Sequence, residues 1–177
     1  MLIKNTEDNY GIIAIFLHWL MAILIIGLLI LGLYMVSLPI SLSKLKLYGW
    51  HKEYGLLVLA LVILRLSWRL FNVTPRLSLP LLEIMAARTV HLAFYGFMCA
   101  MPITGWLMTS AAGLPASFFG LFVLPDLISP NEALRQSFEE VHKWLGYGMI
   151  GAIVLHASAA LKHHFINKDD ILRRMLS

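Results

Sequence analysis

Two histidines, His142 and His156, stand 14 residues apart in the last strongly apolar stretch of the chain, 141–166. At about 1.5 Å and 100° per residue, this spacing separates them by about 21 Å along a helix and about 40° around it. An imidazole in hydrocarbon is costly unless something satisfies it. Two of them on one helix face, near opposite ends of one span, therefore point to two metal centres arranged across a bilayer. The partners have to come from the other histidines in or beside apolar runs, namely His18, His51 and His91.

The bulk composition says what must position them. The 177 residues are 59% hydrophobic and only 14% charged, with a mean hydropathy of +0.77, which excludes an ordinary soluble domain. Four segments, at about 12–36, 51–70, 89–110 and 141–166, approach or exceed the roughly 20 apolar residues that span a bilayer. Breaks are expected at Pro39 with Ser41–Lys46, at Asn72–Pro80, and at Gly113–Arg135, where a Phe118–Leu124 run is expected at the membrane interface. The expectation is an all-α membrane protein, a single domain over 1–177 built as a four-transmembrane-helix bundle. The N-terminus, with Lys4, Glu7 and Asp8, lacks a secretory pattern, so the first span is expected to stay in the mature protein.

Charge gives direction. An even number of spans leaves both termini on one side. That side carries nine of the Lys and Arg residues, including Arg65, Arg69, Arg76, Arg173 and Arg174, against five on the other: Lys44, Lys46, Lys52, Arg135 and Lys143. The positive-inside rule then makes the termini cytoplasmic. The net charge of +4 flanks apolar runs and is not gathered on a polar surface, so nucleic acid is not an expected partner whereas membrane lipid is. With direction fixed, His51 and His142 fall at the outer level, and His18 and His156 at the cytoplasmic level.

Paired imidazoles from facing helices are how a bundle holds a six-coordinate haem, which leaves the iron no open position for oxygen chemistry and suits it to electron transfer. Cys99 is the one cysteine, so a covalent C-x-x-C-H attachment is excluded and each haem would be a non-covalent b-type group. Zinc favours four ligands, often with cysteine or carboxylate, and the spans offer neither beside these histidines. A flat porphyrin also needs small residues near each ligand; the i+4 positions are Ala22, Gly55, Gly146 and Ala160. His91 has Tyr95 there and is a rival ligand for the inner level, or a hydrogen-bonding neighbour of it. Arg65 and Arg69, one turn apart at the cytoplasmic end of the second span, are candidates for haem propionates or simple anchors.

Over nearly its whole length the chain resembles the bacterial cytochrome b-561 family. The resemblance rests on His18-Trp19-Leu20, His51 through Gly55 with Arg65-Leu66-Ser67-Trp68-Arg69, and His91 to Tyr95 leading to Pro102-Ile103-Thr104-Gly105. It is most specific in His142, Leu145-Gly146-Tyr147, His156, Ala159-Ala160-Leu161, His163-His164-Phe165, Lys168-Asp169 and Leu172-Arg173-Arg174-Met175. The family's haem ligands fall on His18, His51, His142 and His156, implying two haem b groups in an inner-membrane protein. One branch is similar to superoxide oxidases, which implies superoxide:ubiquinone oxidoreductase activity, with superoxide oxidised at the periplasmic face and ubiquinone as acceptor.

On that implication Lys44, Lys46, Lys52, Arg135 and Lys143 are candidates for attracting the anion, opposed by Asp126, Glu132, Glu139 and Glu140. His163, His91 and Lys162 become candidates for a quinone site at the cytoplasmic ends of the third and fourth spans, with His164 behind them; the bland alternative for His163, His164 and Lys162 is interface anchoring to lipid phosphate. Two other readings remain: a redox subunit linking a dehydrogenase or other redox protein to the quinone pool, and a haem-free bundle whose histidines are satisfied internally.

Overall fold

The computed structural model describes residues 2–76 and 79–176; Leu77 and Ser78, in the break expected over 72–80, lie outside the described residues. Four long helices follow one another: α1 (Ile12–Ser37), α2 (Leu42–Leu70), α3 (Leu81–Ala111) and α4 (Glu132–Lys162). Three of them, α1, α3 and α4 with its continuation to Asn167, are each long and apolar enough to cross a membrane. The bundle as a whole is a four-helix membrane domain, in which α2 is more charged at its ends. Lys44 and Lys46 sit at one end and Arg65 and Arg69 near the other, where long side chains reach the interface while their stems stay in the apolar layer.

α2 and α4 begin earlier than hydropathy alone suggests, because capping chemistry starts them outside the apolar layer. Ser41 accepts from the Lys44 backbone N–H, so Ser41–Lys46 opens α2 instead of forming a break. Asn131 caps α4 in the same way through Leu134 N–H, and Arg135 bonds both Glu132 and Glu139 along the first turns. Ends are equally local in origin. Leu38, extended at φ −80° and ψ 146°, precedes Pro39, which disfavours a helical residue before it. α3 closes with Gly113 at φ +67°, where Gly113 N–H bonds Ser110 O and Leu114 N–H bonds Thr109 O.

Two departures from an all-helical chain matter. The Phe118–Leu124 run is a β-hairpin, β1 (Ala116–Phe118) antiparallel to β2 (Phe122–Leu124), turning through Phe119 and Gly120, both at positive φ. It leans on α2, with the Phe119 ring edge-on to Tyr54 at 5.2 Å. Beyond Lys162 the helix widens into a π-turn, His163–Asn167, which ends at Lys168 in the left-handed region.

Sequential helices pack side by side, α1 on α2, α2 on α3 and α3 on α4, while neither α1 nor α2 packs extensively against α4. The buried core is Met21, Val58, Val62, Met98 and Met149, drawn from all four helices. The α3–α4 seam is tight: a Cβ built on Gly148 would lie 2.9 Å from the Phe97 ring. Gly148→Leu is therefore expected to destabilise the bundle by about 1–3 kcal/mol, as overpacking of a filled seam does, seen as an earlier thermal unfolding transition in detergent.

Candidate haem-binding levels

Each helix carries two inward positions 14 residues apart: His18 and Gly32 on α1, His51 and Arg65 on α2, His91 and Gly105 on α3, His142 and His156 on α4. Met98 and Met149 lie midway, seven residues from either position on their helices. The core thus separates an outer level from an inner one.

At the outer level the His51 and His142 ring centres are 6.1 Å apart. Glycines back both rings. A Cβ on Gly32 would lie 3.3 Å from His51 Cε1, and one on Gly105 would lie 3.4 Å from His142 Cε1. Thr104 Oγ1 lies 3.1 Å from His142 Nδ1, whereas buried His51 Nδ1 has no hydrogen-bond partner among the described residues. Among the described residues nothing within 4 Å would meet a Cβ on Gly55, one turn along α2 from His51, so that side stays open.

At the inner level His18 and His156 are likewise 6.1 Å apart, and so are His91 and His156. Distance alone does not choose between His18 and His91. The helices differ in packing: α3 is packed along α4, whereas α1 and α4 are held apart. His91 therefore flanks His156 along with Phe94, whose ring is 5.3 Å away.

Two imidazoles sharing a metal through ring nitrogens about 2 Å from it have ring centres about 6 Å apart. Both levels have that separation of ring centres between helices that are not closely packed, and an iron bound there would be held by two imidazoles. The residues therefore fit b-type haem. Among the described residues no group of three or more His, Cys, Asp or Glu is arranged to hold a metal ion.

The arginines take different places. Arg65 Nη2 donates to His18 Nδ1 at 3.2 Å, and a guanidinium has no acceptor to offer in return. With Nδ1 accepting from Arg65, the hydrogen of a neutral His18 lies on Nε2. Arg69 instead lies over the Tyr95 ring at 5.5 Å and reaches its hydroxyl at 3.4 Å. Tyr10 borders these arginines; its burial raises its pKa, opposed by Arg69 and Arg65.

His163 lies apart from both levels. In the π-turn its Nδ1–H donates to Asp169 Oδ2 at 2.6 Å, and its Nε2 is 3.9 Å from Glu83 Oε2. Partial burial pushes the Asp169 carboxyl upward, but the bonds from His163 and the Ile171 N–H outweigh this and hold it below the usual range. Lys162 Nζ bonds Glu83 Oε1 at 3.2 Å, and the His164 ring meets Phe165 edge-on at 4.8 Å. Trp19 Nε1 donates to Met175 O at 2.7 Å and Arg174 to Arg76 O at 2.9 Å, so the C-terminal segment is tied across this end.

Sequence reasoning gave no role to Gly32, Gly105, Thr104, Glu83 or Tyr10. The signal that was available is the 14-residue spacing, which leads from His18 to Gly32 and from His91 to Gly105.

Fold and levels together define a membrane cytochrome of the b type, a four-helix bundle with histidines paired between helices. The family model for prokaryotic cytochrome b561 matches residues 9–177. The chain is 38% identical to "Cytochrome b561 homolog 2" of Escherichia coli K12, over 99% of this chain and 95% of that protein. It is 28% identical to "Cytochrome b561 homolog 1" of the same strain, over 92% and 93%. It is also 28% identical to "Probable superoxide oxidase CybB" of Yersinia pestis, over 96% and 97%. The chain belongs to the prokaryotic cytochrome b561 family and is a b-type haem electron-transfer protein of the bacterial inner membrane.

Because Gly32 gives His51 its backing, Gly32→Leu is expected to lower haem content per chain at least twofold while leaving helix content unchanged. Pyridine haemochrome assay with far-ultraviolet circular dichroism on the purified protein checks this.

Proposed function

We propose that this protein holds two b-type haems, one between His51 and His142 and one between His18 and His156, and passes single electrons from superoxide outside to a quinone near the cytoplasmic face. The observation that carries this reading is the repeated 6.1 Å separation of paired histidine rings at two levels. Haem, when bound, supplies a one-electron couple. The basic bias of the termini side supports a direction with His51 and His142 periplasmic and both termini cytoplasmic.

The chain's own residues have distinct tasks. Superoxide gives up one electron and leaves as dioxygen, so the outer face must attract an anion and need not bind it at a metal. Arg135 is held by Glu132 and Glu139, and Lys143 by Glu140. Lys44 and Lys52 instead donate to the carbonyls of Leu38 and Pro115. The attracting charge accordingly falls to Lys44, Lys46 and Lys52, the last adjacent to His51. Two electrons and two protons convert a quinone to its quinol. His163, with Asp169 and Glu83 beside it, would hold and deliver a proton there, Lys162 would orient Glu83, and His91 would line the side nearer His156. Arg65 would bind a propionate of the inner haem, and Arg69, stacked on Tyr95, would stand behind it.

A second reading, a redox subunit joining a dehydrogenase or other protein to the quinone pool, is favoured by the relatives' names. The 38% identical protein is named only as a cytochrome b561 homolog, and the superoxide oxidase name belongs to a 28% identical one.

Purified protein should carry two haems per chain, and His142→Ala and His156→Ala should each lose one of them. Mixing the oxidised protein with superoxide in a stopped-flow device should reduce both haems within milliseconds. A haem-free preparation would end both readings, while fast reduction by a quinol or partner protein with none by superoxide would leave the second. For the proton role, His163→Ala should leave the visible spectrum intact and slow reoxidation of the reduced haems by quinone roughly a hundredfold, within the usual range for losing a general acid. Native reoxidation rates in that variant would remove His163 from the site.

A further inference from the structure

The geometry points to Thr104 as a positioning residue that fixes which nitrogen of His142 faces the outer haem and thereby lowers that haem's reduction potential; the inference rests on the reading of His142 as an axial ligand. Thr104 is buried, with its Oγ1 2.8 Å from Ala100 O, 2.9 Å from Met101 O and 3.1 Å from His142 Nδ1. A hydroxyl has one proton to give, and carbonyl oxygens only accept. Shared between the two carbonyls, that proton is spent within α3. Toward His142 the Thr104 oxygen is left as an acceptor, so Nδ1 must carry the hydrogen and donate it. The lone pair of a neutral imidazole then lies on Nε2.

A separate observation agrees. The Nδ1–Cε1 edge of His142 faces Gly105, where a Cβ would stand 3.7 and 3.4 Å from those two atoms. That edge lies against α3 and has no room for a porphyrin, which leaves Nε2 as the coordinating nitrogen. The hydroxyl and the glycine are consecutive residues, so one turn of α3 both shapes the wall behind the ring and sets its tautomer. The three other ligand candidates lack this arrangement: His18 Nδ1 faces the Arg65 guanidinium, a donor, His51 Nδ1 has no partner among the described residues, and His156 is bordered by the rings of His91 and Phe94.

An acceptor on Nδ1–H makes the coordinating nitrogen more basic, which favours ferric over ferrous iron. Removing it should do the reverse. A neutral hydrogen bond contributes about 1 kcal/mol, so the expected effect is roughly a fivefold rise in the ferrous-to-ferric ratio at fixed potential. At 59 mV per decade for a one-electron couple this is about 40 mV.

The test is a redox titration with low-temperature electron paramagnetic resonance on the full-length, haem-loaded protein, comparing Thr104→Val, Thr104→Ser and His142→Ala. The outer component is the one missing from His142→Ala. Expected is that valine keeps both haems, raises the outer midpoint by that amount and changes the outer haem's g-values, whereas serine matches the native protein and the inner component stays fixed. An unmoved outer midpoint in the valine variant, or serine displaced as far as valine, overturns the proposal. If valine loses the outer haem, Thr104→Ala takes its place: alanine displaced with serine native supports the role, and equal midpoints overturn it. Retention of both haems in His142→Ala would instead overturn the ligand reading itself, an outcome distinct from any shift at Thr104.

Discussion

Everything in this bundle follows from the need to satisfy imidazoles in a layer that has no water to offer them. A histidine in hydrocarbon must find a hydrogen bond, a metal or a second polar group. Here four helices answer with one period. Fourteen residues is nearly four turns, so positions at that spacing keep almost the same face while moving about 21 Å along the axis. Each helix thus presents a pair of positions to the same two levels, and each level is filled by different chemistry: two histidines and two glycines outside, three histidines and an arginine inside.

The same constraint explains how the helices pack. If all four met closely, the paired rings would have no room for a broad planar group between them. Instead α3 and α4 form a close seam, made possible by Gly148 against Phe97, and α1 and α2 follow in order around the bundle without closing on α4. The histidine pairs bridge the wider separations. Between the levels the methionines Met21, Met98 and Met149, with Val58 and Val62, fill the centre, where an unbranched and polarisable side chain adapts to an irregular space.

Asymmetry between the two levels is electrostatic. The inner one faces Arg65, with Arg69, Tyr95 and Tyr10 near it. The outer one is backed by glycines and a neutral hydroxyl, and most of its charge lies further out in the paired residues of the first turns of α4. One level is thus bordered by a cation and the other by a neutral hydrogen-bonding group.

Much of this was readable in the chain. The apolar runs give the helices. The depth of His18, His51, His142 and His156 follows because helical rise is a local property, the same wherever the helix sits. Capping at Ser41 and Asn131 was legible too, though hydropathy drew attention away from it. What sequence left open was rotation. α1 is apolar on every side, as a lipid-facing helix can be, so no amphipathic stripe reveals which residues look inward. Only the tertiary structure sets Gly32 behind His51, seats Gly105 and Thr104 against His142, and places His91 in the packed α3–α4 seam while leaving His18 across the wider separation from His156. Spacing along a helix comes from its own geometry, but the choice of neighbour depends on how four helices turn toward one another.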